Sequence, residues 1–228
     1  AVAPGLLVGF EEVLGESTDV EEANAALVRV RDALWSVTRD RLGTYAGVES
    51  LRSAAPAPSD AGLAVLLSTQ QALSAIDRLE VRGRDSAGLQ LTLWGHGLDP
   101  ADPAVVARTA DPLHRTGSVR VLDGGGLAFV VKVAAEIGEL GDNTAALRGA
   151  LAADGLLARA LAAPAVEGSL LGHTRWASVG LISEPNAHPL DSTRADGKPT
   201  GVVTAVKNGD VDNHVDLVVA EGLSMAPE

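Results

Sequence analysis

Residues 79–94 read LEVRGRDSAGLQLTLW, and within them the periodicity of the chain changes. The preceding residues 61–79 carry apolar side chains at helical spacing, a pattern that predicts an amphipathic helix. After Arg82 the spacing changes, and residues 88–94 alternate with the period of two that is typical of a half-buried strand. We therefore predict a helix over 61–79 that is followed, after a short connection, by a strand over 88–94.

A second helical segment is predicted upstream, within residues 10–52. Its apolar positions recur at steps of three to five residues: Ala26, Val30, Leu34, Val37 and Leu42. Ser17, Thr18 or Asp19 can cap this helix, and two glutamates follow in the first turn, where the helix dipole favours them. The stretch SAAPAPSD over residues 53–60 is predicted to be a linker that ends at the next helix cap.

The downstream segments mix hairpins with helices and do not alternate strand and helix. The expected elements are a loop over 95–117, a hairpin around Gly124–Gly126, helical residues over 134–163 with a break near 138–143, a strand over 168–175, a strand up to Val206, a turn at Asn208–Gly209 and a helix from about Asp212. This order predicts an α+β fold with a largely antiparallel sheet.

Composition limits the classes of partner. The chain has 228 residues and a net charge of −12, with 18 scattered basic residues, so nucleic acid and anionic membrane surfaces are not expected partners. No apolar run approaches the roughly 20 residues that span a bilayer, and the opening AVAPGLLVGF has no basic residues before it. The chain contains no cysteine. These features together favour the cytoplasm.

Three common kinds of site find little support in the residues. The five histidines lack metal-binding spacing and have no cysteine partner, so no metal site is expected. No serine occupies a Gly-x-Ser-x-Gly elbow, which disfavours a serine hydrolase. The glycines at 124–126 lack the Lys-Ser/Thr and the helix of a phosphate-binding loop.

Three separated segments concentrate the polar residues of interest: LEVRGRDSAGL at 79–89, GHTRWASVGLISEPNAHPL at 172–190 and VVTAVKNGDVDNH at 202–214. In this order they resemble the glutaminase domain of class II glutamine amidotransferases, most closely the glucosamine-6-phosphate synthase (glutamine–fructose-6-phosphate aminotransferase) branch. The resemblance extends in outline over residues 61–223 and is strong only over the motifs. It divides the chain into an added helical segment, residues 1–55, and a glutaminase-like domain, residues 56–228.

The resemblance implies an N-terminal nucleophile hydrolase fold, a four-layer αββα sandwich with two largely antiparallel sheets. In that family an N-terminal cysteine thiolate attacks the glutamine amide, with its own α-amino group as the base, and a thioester forms as ammonia leaves. The implied function is hydrolysis of L-glutamine, with ammonia passed to a sugar-phosphate aminotransferase domain of the same or a partner chain. No cofactor is implied, and a homo-oligomer is compatible with the family.

The resemblance also implies roles for individual residues. Arg175 matches the clamp for the glutamine α-carboxylate, a task that suits a bidentate guanidinium. Asn208 and Gly209 match the oxyanion hole. The segment from Trp176 to Ile182 matches the loop that covers glutamine, and within it Ser178 retains a hydroxyl contact. The implied supporting residues are Arg82, Asn186 and His188.

Several positions depart from the family pattern. Val179, Leu190 and Lys207 each replace a histidine, and neither a cysteine nor a Cys-Gly-Ile start is present. Two explanations stay open: the nucleophile strand and a later acidic motif lie outside this sequence, or the chain is an inactive glutaminase-like scaffold whose added helices bind a partner. A hydrolase that uses serine or threonine has no motif to support it.

Overall fold

The structure is a computed structural model, and it describes residues 19–53, 55–134, 139–177, 180–192 and 202–223. The chain divides into two compact units, with the boundary between Glu49 and Ser50. The division into residues 1–55 and 56–228 stays a prediction.

The described residues of the first unit, 19–49, are helical. Helix α1 (Val20–Trp35) continues into a π-helical stretch (Ser36–Arg41) and then into α2 (Leu42–Leu51). The carboxylate of Asp19 accepts the backbone N–H of Glu22 at 3.0 Å, which confirms Asp19 as the cap. No side chain of α1 is buried, although its apolar residues recur at helical spacing.

The second unit contains five helices and six strands among its described residues. In chain order they are α3 (Asp60–Leu79), a 3₁₀ turn (Glu80–Arg82), β1 (Ser86–Trp94), α4 (Pro103–Thr109), β2 (Val119–Val121), β3 (Leu127–Ala134), α5 (Asp142–Ala152), α6 (Gly155–Leu161), β4 (Glu167–Arg175), β5 (Leu190–Asp191), β6 (Thr204–Ala205) and α7 (His214–Ala220).

Strands β1 to β4 form one antiparallel sheet in the order β2-β3-β1-β4, and β5 pairs with β6 in a second, two-stranded sheet. In the larger sheet, Gly88 of β1 lies opposite Lys132 of β3 and His173 of β4. Ser86 lies opposite Arg175 at the end of β4. The predicted α+β class with antiparallel strands is therefore confirmed.

One face of the larger sheet forms the hydrophobic core together with α3, α5 and α6. Leu89, Leu91 and Leu93 point from β1 into this core and are fully buried. Where α3 crosses β4 the strand carries glycine, and a Cβ at Gly168 or Gly172 would meet α3 side chains at 3.1–3.2 Å. These two glycines let the helix approach the strand closely.

The beginning of α5 is capped from another part of the chain. The buried carboxylate of Glu80 accepts the backbone N–H of Gly141 at 2.7 Å and that of Asn143 at 3.1 Å. The side-chain amide of Asn143 donates in return to the carbonyl of Arg84. A carboxylate at a helix N-terminus satisfies donors that have no partner within the helix. The connection between α3 and β1 is thereby fixed to α5.

The opposite face of the sheet is polar and is covered by irregular chain. From residues 110–118, the Thr116 hydroxyl donates to the carbonyl of Lys132 on β3. From β5, Asp191 accepts a hydrogen bond from Arg120 on β2. Both side chains of this second bond are nearly inaccessible to solvent. Charged groups thus take the place of an apolar layer here.

Predictions for the local elements were largely correct, with one error. The helices over 61–79 and after Asp212, the strands around 88–94 and 168–175 and the hairpin at Gly124–Gly126 are confirmed. The predicted loop over 95–117 was partly wrong, because it contains α4. Asp102 caps that helix and Pro103 begins it, while Arg108 forms a bidentate ion pair with Asp154. No helix in the described ranges is long and apolar enough to cross a membrane.

Candidate functional site

The ends of β1 and β4 bring the first two polar segments together. The backbone N–H of Asp85, just before β1, donates to the carbonyl of Arg175 at 3.1 Å. The Asp85 carboxylate accepts the N–H of Ala177 at 2.6 Å. Asp85 is 9% exposed, so solvent competes little for these bonds. One residue therefore holds the chain on both sides of Trp176.

Arg175 faces the loop that follows. Its Nη1 donates to the carbonyl of Leu181 at 3.2 Å, and the side-chain amide of Asn186 donates to the same oxygen at 3.3 Å. A guanidinium carries five N–H donors, and this contact uses one of them. The predicted clamp residue and one predicted supporting residue therefore meet at a single carbonyl oxygen.

The predicted cover over the substrate is only partly described. Trp176 is 69% exposed, so its ring is available to a molecule in solution. Ser178 and Val179 lie outside the described residues, and the structure does not test the hydroxyl contact predicted for Ser178. Gly180 has φ of +86°, a left-handed conformation that favours glycine at the point where the chain turns back toward Arg175.

His188 lies directly above Gly88, near the beginning of β1. A Cβ placed on Gly88 would come within 2.1 Å of the carbonyl oxygen of His188, so this loop rests on the one position of the strand without a side chain. The ring of His188 contacts that of His173, with centroids 4.5 Å apart and a tilt of 46°. The predicted supporting role of His188 is compatible with this packing.

Both imidazoles are held in their neutral form. Burial lowers the pKa of His188 to about 4, and the charges of His173, Arg175 and Lys132 act in the same direction. Burial also lowers the pKa of His173, and Arg175 adds to the shift, while a hydrogen bond with the backbone of Lys207 opposes it. Arg175 and Lys132 are therefore the cationic side chains that act on this histidine pair.

The third polar segment reaches this region through Lys207. Its backbone is the hydrogen-bonding partner of His173, and it immediately precedes the predicted oxyanion residues Asn208 and Gly209. Both of those residues are exposed, and Gly209 has φ of +121°. The Lys207 ammonium donates to the carbonyl of Asp210, which closes the turn. The turn therefore lies next to the His173–His188 pair.

Arg82 stands apart from these contacts. It ends the 3₁₀ turn and is exposed, and its side chain makes no hydrogen bond or ion pair with another described residue. The neighbouring Gly83 packs tightly on Thr174 of β4, within 2.8 Å of the position that a Cβ would take. Arg82 thus lies close to β4, but no contact tests the role predicted for it.

Sequence reasoning did not find the polar cluster on the covered sheet face. The Lys132 side chain is 3% exposed and its Nζ has no hydrogen-bonding partner among the described residues. Burial lowers the pKa of Lys132 to about 8, against the attraction of Asp191 and Glu184. His114 lies beside Asp191, and burial lowers its pKa to about 4. The sequence feature that could have indicated this cluster was Lys132, the one charged residue in the otherwise apolar strand β3.

This arrangement is suited to binding an anion. Arg175 offers a guanidinium, Trp176 an exposed aromatic surface and the Asn208–Gly209 turn amide donors, and this turn follows Lys207, whose backbone bonds to His173 of β4. A carboxylate is the natural partner of such a guanidinium. Among the described residues no group of three histidine, aspartate or glutamate side chains could hold a metal ion.

Comparison of the chain with family models, with curated proteins and with solved structures finds no match.

Proposed function

We propose that this chain is the glutamine-binding module of a class II amidotransferase of the glucosamine-6-phosphate synthase type. In that role it positions L-glutamine for hydrolysis to glutamate and ammonia. The ammonia would pass to a sugar-phosphate aminotransferase domain elsewhere in the same or a partner chain. The proposal includes the N-terminal nucleophile hydrolase fold, of which the antiparallel sheet backed by α3, α5 and α6 would form one half.

One observation carries the proposal. Of the three segments that resemble the family, the first is separated from the second by residues 90–171 and the second from the third by residues 191–201. In the structure, Asp85 of the first segment bonds to both sides of Trp176 in the second, and His173 of the second bonds to Lys207 in the third. Motifs that only happened to occur in this order would not be expected to contact one another.

In this proposal each residue has a physical task. Arg175 binds the α-carboxylate of glutamine through its guanidinium, and Trp176 covers the ligand. Asn208 and the N–H of Gly209 stabilise the oxyanion that forms when a thiolate attacks the amide. The nucleophile has to come from a cysteine, which this sequence does not contain. His173 and His188 keep the loop against the sheet and take no part in proton transfer.

Binding of L-glutamine to the chain, measured by isothermal titration calorimetry, tests the site. We expect binding that Arg175→Ala abolishes and that Arg159→Ala leaves unchanged, because Arg159 is paired with Asp102 on another surface. D-Glutamine should bind more weakly, since its carboxylate cannot reach the guanidinium while its amide lies at the turn. Equal affinity of the unaltered chain and Arg175→Ala for L-glutamine would exclude this site.

A second function, an inactive glutaminase-like scaffold, is favoured by the absence of cysteine and by Val179, Leu190 and Lys207 at positions where the family has histidine. Hydrolysis of glutamine separates the two. If the natural polypeptide that contains this chain releases glutamate from L-glutamine, and Arg175→Ala removes that activity, the scaffold proposal fails. If it binds glutamine without hydrolysing it, the scaffold proposal is correct.

A further inference from the structure

We infer that a monatomic anion of the size of chloride binds inside the second unit, on the polar face of the larger sheet. Its ligands are the ammonium of Lys132 on β3 and the hydroxyl of Ser86 on β1. The loop that carries His188 closes over it. The ion has a structural role, and its ligands are not the donors assigned to glutamine.

The first argument is the ammonium of Lys132. This residue is 3% exposed, and its Nζ has no hydrogen-bonding partner among the described residues. An ammonium carries three N–H donors. A buried charge without acceptors is strongly unfavourable, so buried charges in proteins are paired or bound to an ion. Lys132 therefore requires an acceptor that the described side chains do not supply.

The second argument is the hydroxyl of Ser86, which is also buried and without a partner. Side chains alternate along a strand, and Leu89 points into the core, so Ser86 and Gly88 face the polar side of the sheet. Lys132 lies opposite Gly88, which makes Ser86 its diagonal neighbour across the two strands. Diagonal neighbours lie about 7–8 Å apart, a separation that a long side chain and one intervening ion can bridge.

The third argument is charge balance. Among the described residues of this face, three charged side chains are at most 5% exposed: Arg120, Lys132 and Asp191. Arg120 donates to Asp191, so this pair is neutral and Lys132 adds one positive charge. The half-buried carboxylate of Glu184 accepts the backbone N–H of Thr116 at 3.0 Å. One monovalent anion would balance the charge of Lys132.

The space over Gly88 requires a small ion. A Cβ placed on Gly88 would meet the carbonyl oxygen of His188 at 2.1 Å and Cγ of Lys132 at 3.2 Å. The returning loop and the stem of Lys132 thus fill the position above the strand. A phosphate or a sugar phosphate would have to displace this loop, whereas a monatomic anion accepts donors from any direction and needs no further room.

The ion would also connect the loop to the sheet. Nδ1 of His188 is buried and has no partner among the described residues. A neutral imidazole that carries its proton on Nδ1 donates from that atom. An anion held by Lys132, Ser86 and this N–H would join β3, β1 and the loop at one point. The folded chain should therefore be more stable in chloride.

Thermal unfolding, followed by scanning calorimetry, tests the stabilisation. The buffer is sodium gluconate at constant ionic strength, replaced stepwise by sodium chloride. We expect the melting temperature of the unaltered chain to rise with chloride, because an ion that binds only the folded state stabilises it. Lys132→Met should lose this response. Arg78→Met is the matched control, because it removes an exposed positive charge from α3, and it should retain the response.

A second variant keeps the ammonium. Ser86→Ala should bind chloride about tenfold more weakly, since one hydrogen bond to the ion is lost. Anomalous diffraction from crystals grown in sodium bromide locates the ion directly. We expect a bromide peak beside Nζ of Lys132 and Oγ of Ser86.

Four outcomes would overturn the inference. They are an unaltered chain that does not respond to chloride, an equal response of Lys132→Met, an unchanged affinity of Ser86→Ala, and bromide peaks that lie only on the exposed surface or beside Arg175, which would indicate an adventitious ion only. The measurements contain no glutamine, so their failure leaves the proposed function untouched.

Discussion

The imidazole rings of His173 and His188 lie 4.5 Å apart, centroid to centroid, on the polar face of the sheet. His173 belongs to β4, whereas His188 belongs to the loop that returns over Gly88. Arg175 and Lys132 lie close enough to lower the pKa of His188. The loop is therefore held on the sheet by two neutral rings in cationic surroundings.

This pair predicts a loss of stability in acid. The pKa of His188 falls from 6.5 in the unfolded chain to about 4 in the folded one, so the unfolded state binds more protons between these values. The free energy of unfolding should decrease as the pH falls from about 6.5 to about 4. We expect His188→Gln to reduce that decrease by about 1 kcal/mol, a figure that allows for screening at a partly exposed ring.

Urea unfolding at about pH 7 and about pH 5 measures this difference. Identical slopes for the unaltered chain and for His188→Gln would contradict the prediction.

Lys132 predicts a change of stability with pH of the same sign, but in alkaline solution. Burial lowers its pKa from 10.5 to about 8, so the folded chain loses this proton before the unfolded chain does. Stability should therefore rise between about pH 8 and about pH 10.5, and below that range the buried ammonium carries a constant cost. Lys132→Met should stabilise the chain by about 1–2 kcal/mol at neutral pH and remove the alkaline rise.

Thermal unfolding as a function of pH checks this prediction. Lys132→Arg is the control that retains the charge, and it should give no stabilisation. A less stable Lys132→Met variant would mean that the attraction of Asp191 and Glu184 outweighs the cost of burial.

The contact between His188 and Gly88 predicts that alanine destabilises the chain more at Gly88 than at Gly172, although both glycines lie in the larger sheet. A methyl group on Gly88 would lie 2.1 Å from a backbone oxygen, which has to move together with its loop. On Gly172 it would meet the side-chain ends of Ile76 and Leu89 at 3.2 Å, and these can adjust. We expect Gly88→Ala to cost about 1–3 kcal/mol and Gly172→Ala less than about 1 kcal/mol.

Urea unfolding of the two variants gives the comparison. The His188 ring signals in an NMR spectrum should shift only in Gly88→Ala. Equal destabilisation by the two substitutions would show that the loop does not rest on Gly88.

Removal of the Asp85 carboxylate should reduce both the stability of the chain and its binding of L-glutamine. Its carboxylate holds the Ala177 N–H at 2.6 Å beside Arg175 and Trp176. Asp85→Ala should cost about 1.5–3 kcal/mol, the usual range for a hydrogen bond to a charged group, and should weaken L-glutamine binding. Calorimetry at a temperature where the variant is folded checks the binding. The exposed Asp123 supplies a control, since Asp123→Ala should change neither quantity.

Much of the candidate site could be predicted from the sequence, because Arg175, Asn186 and His188 belong to one continuous segment. The contact of Arg175 and Asn186 with the Leu181 carbonyl could not be predicted. It depends on how the loop turns back, and side-chain types do not specify that path. Asp85 and Lys132 were missed for the same reason, since their importance comes from what covers them.

The sequence by itself determined the local elements: the helix over Asp60–Leu79, the strand that follows it and the glycine hairpin. Apolar periodicity, caps and turn residues act within a few positions, so each pattern is complete in its own segment. Only the tertiary structure decided that a polar loop covers one face of the sheet, that Glu80 caps a distant helix and that β4 lies at the edge. These features depend on contacts between segments far apart in the chain, and their energies come from burial and charge that no single segment specifies.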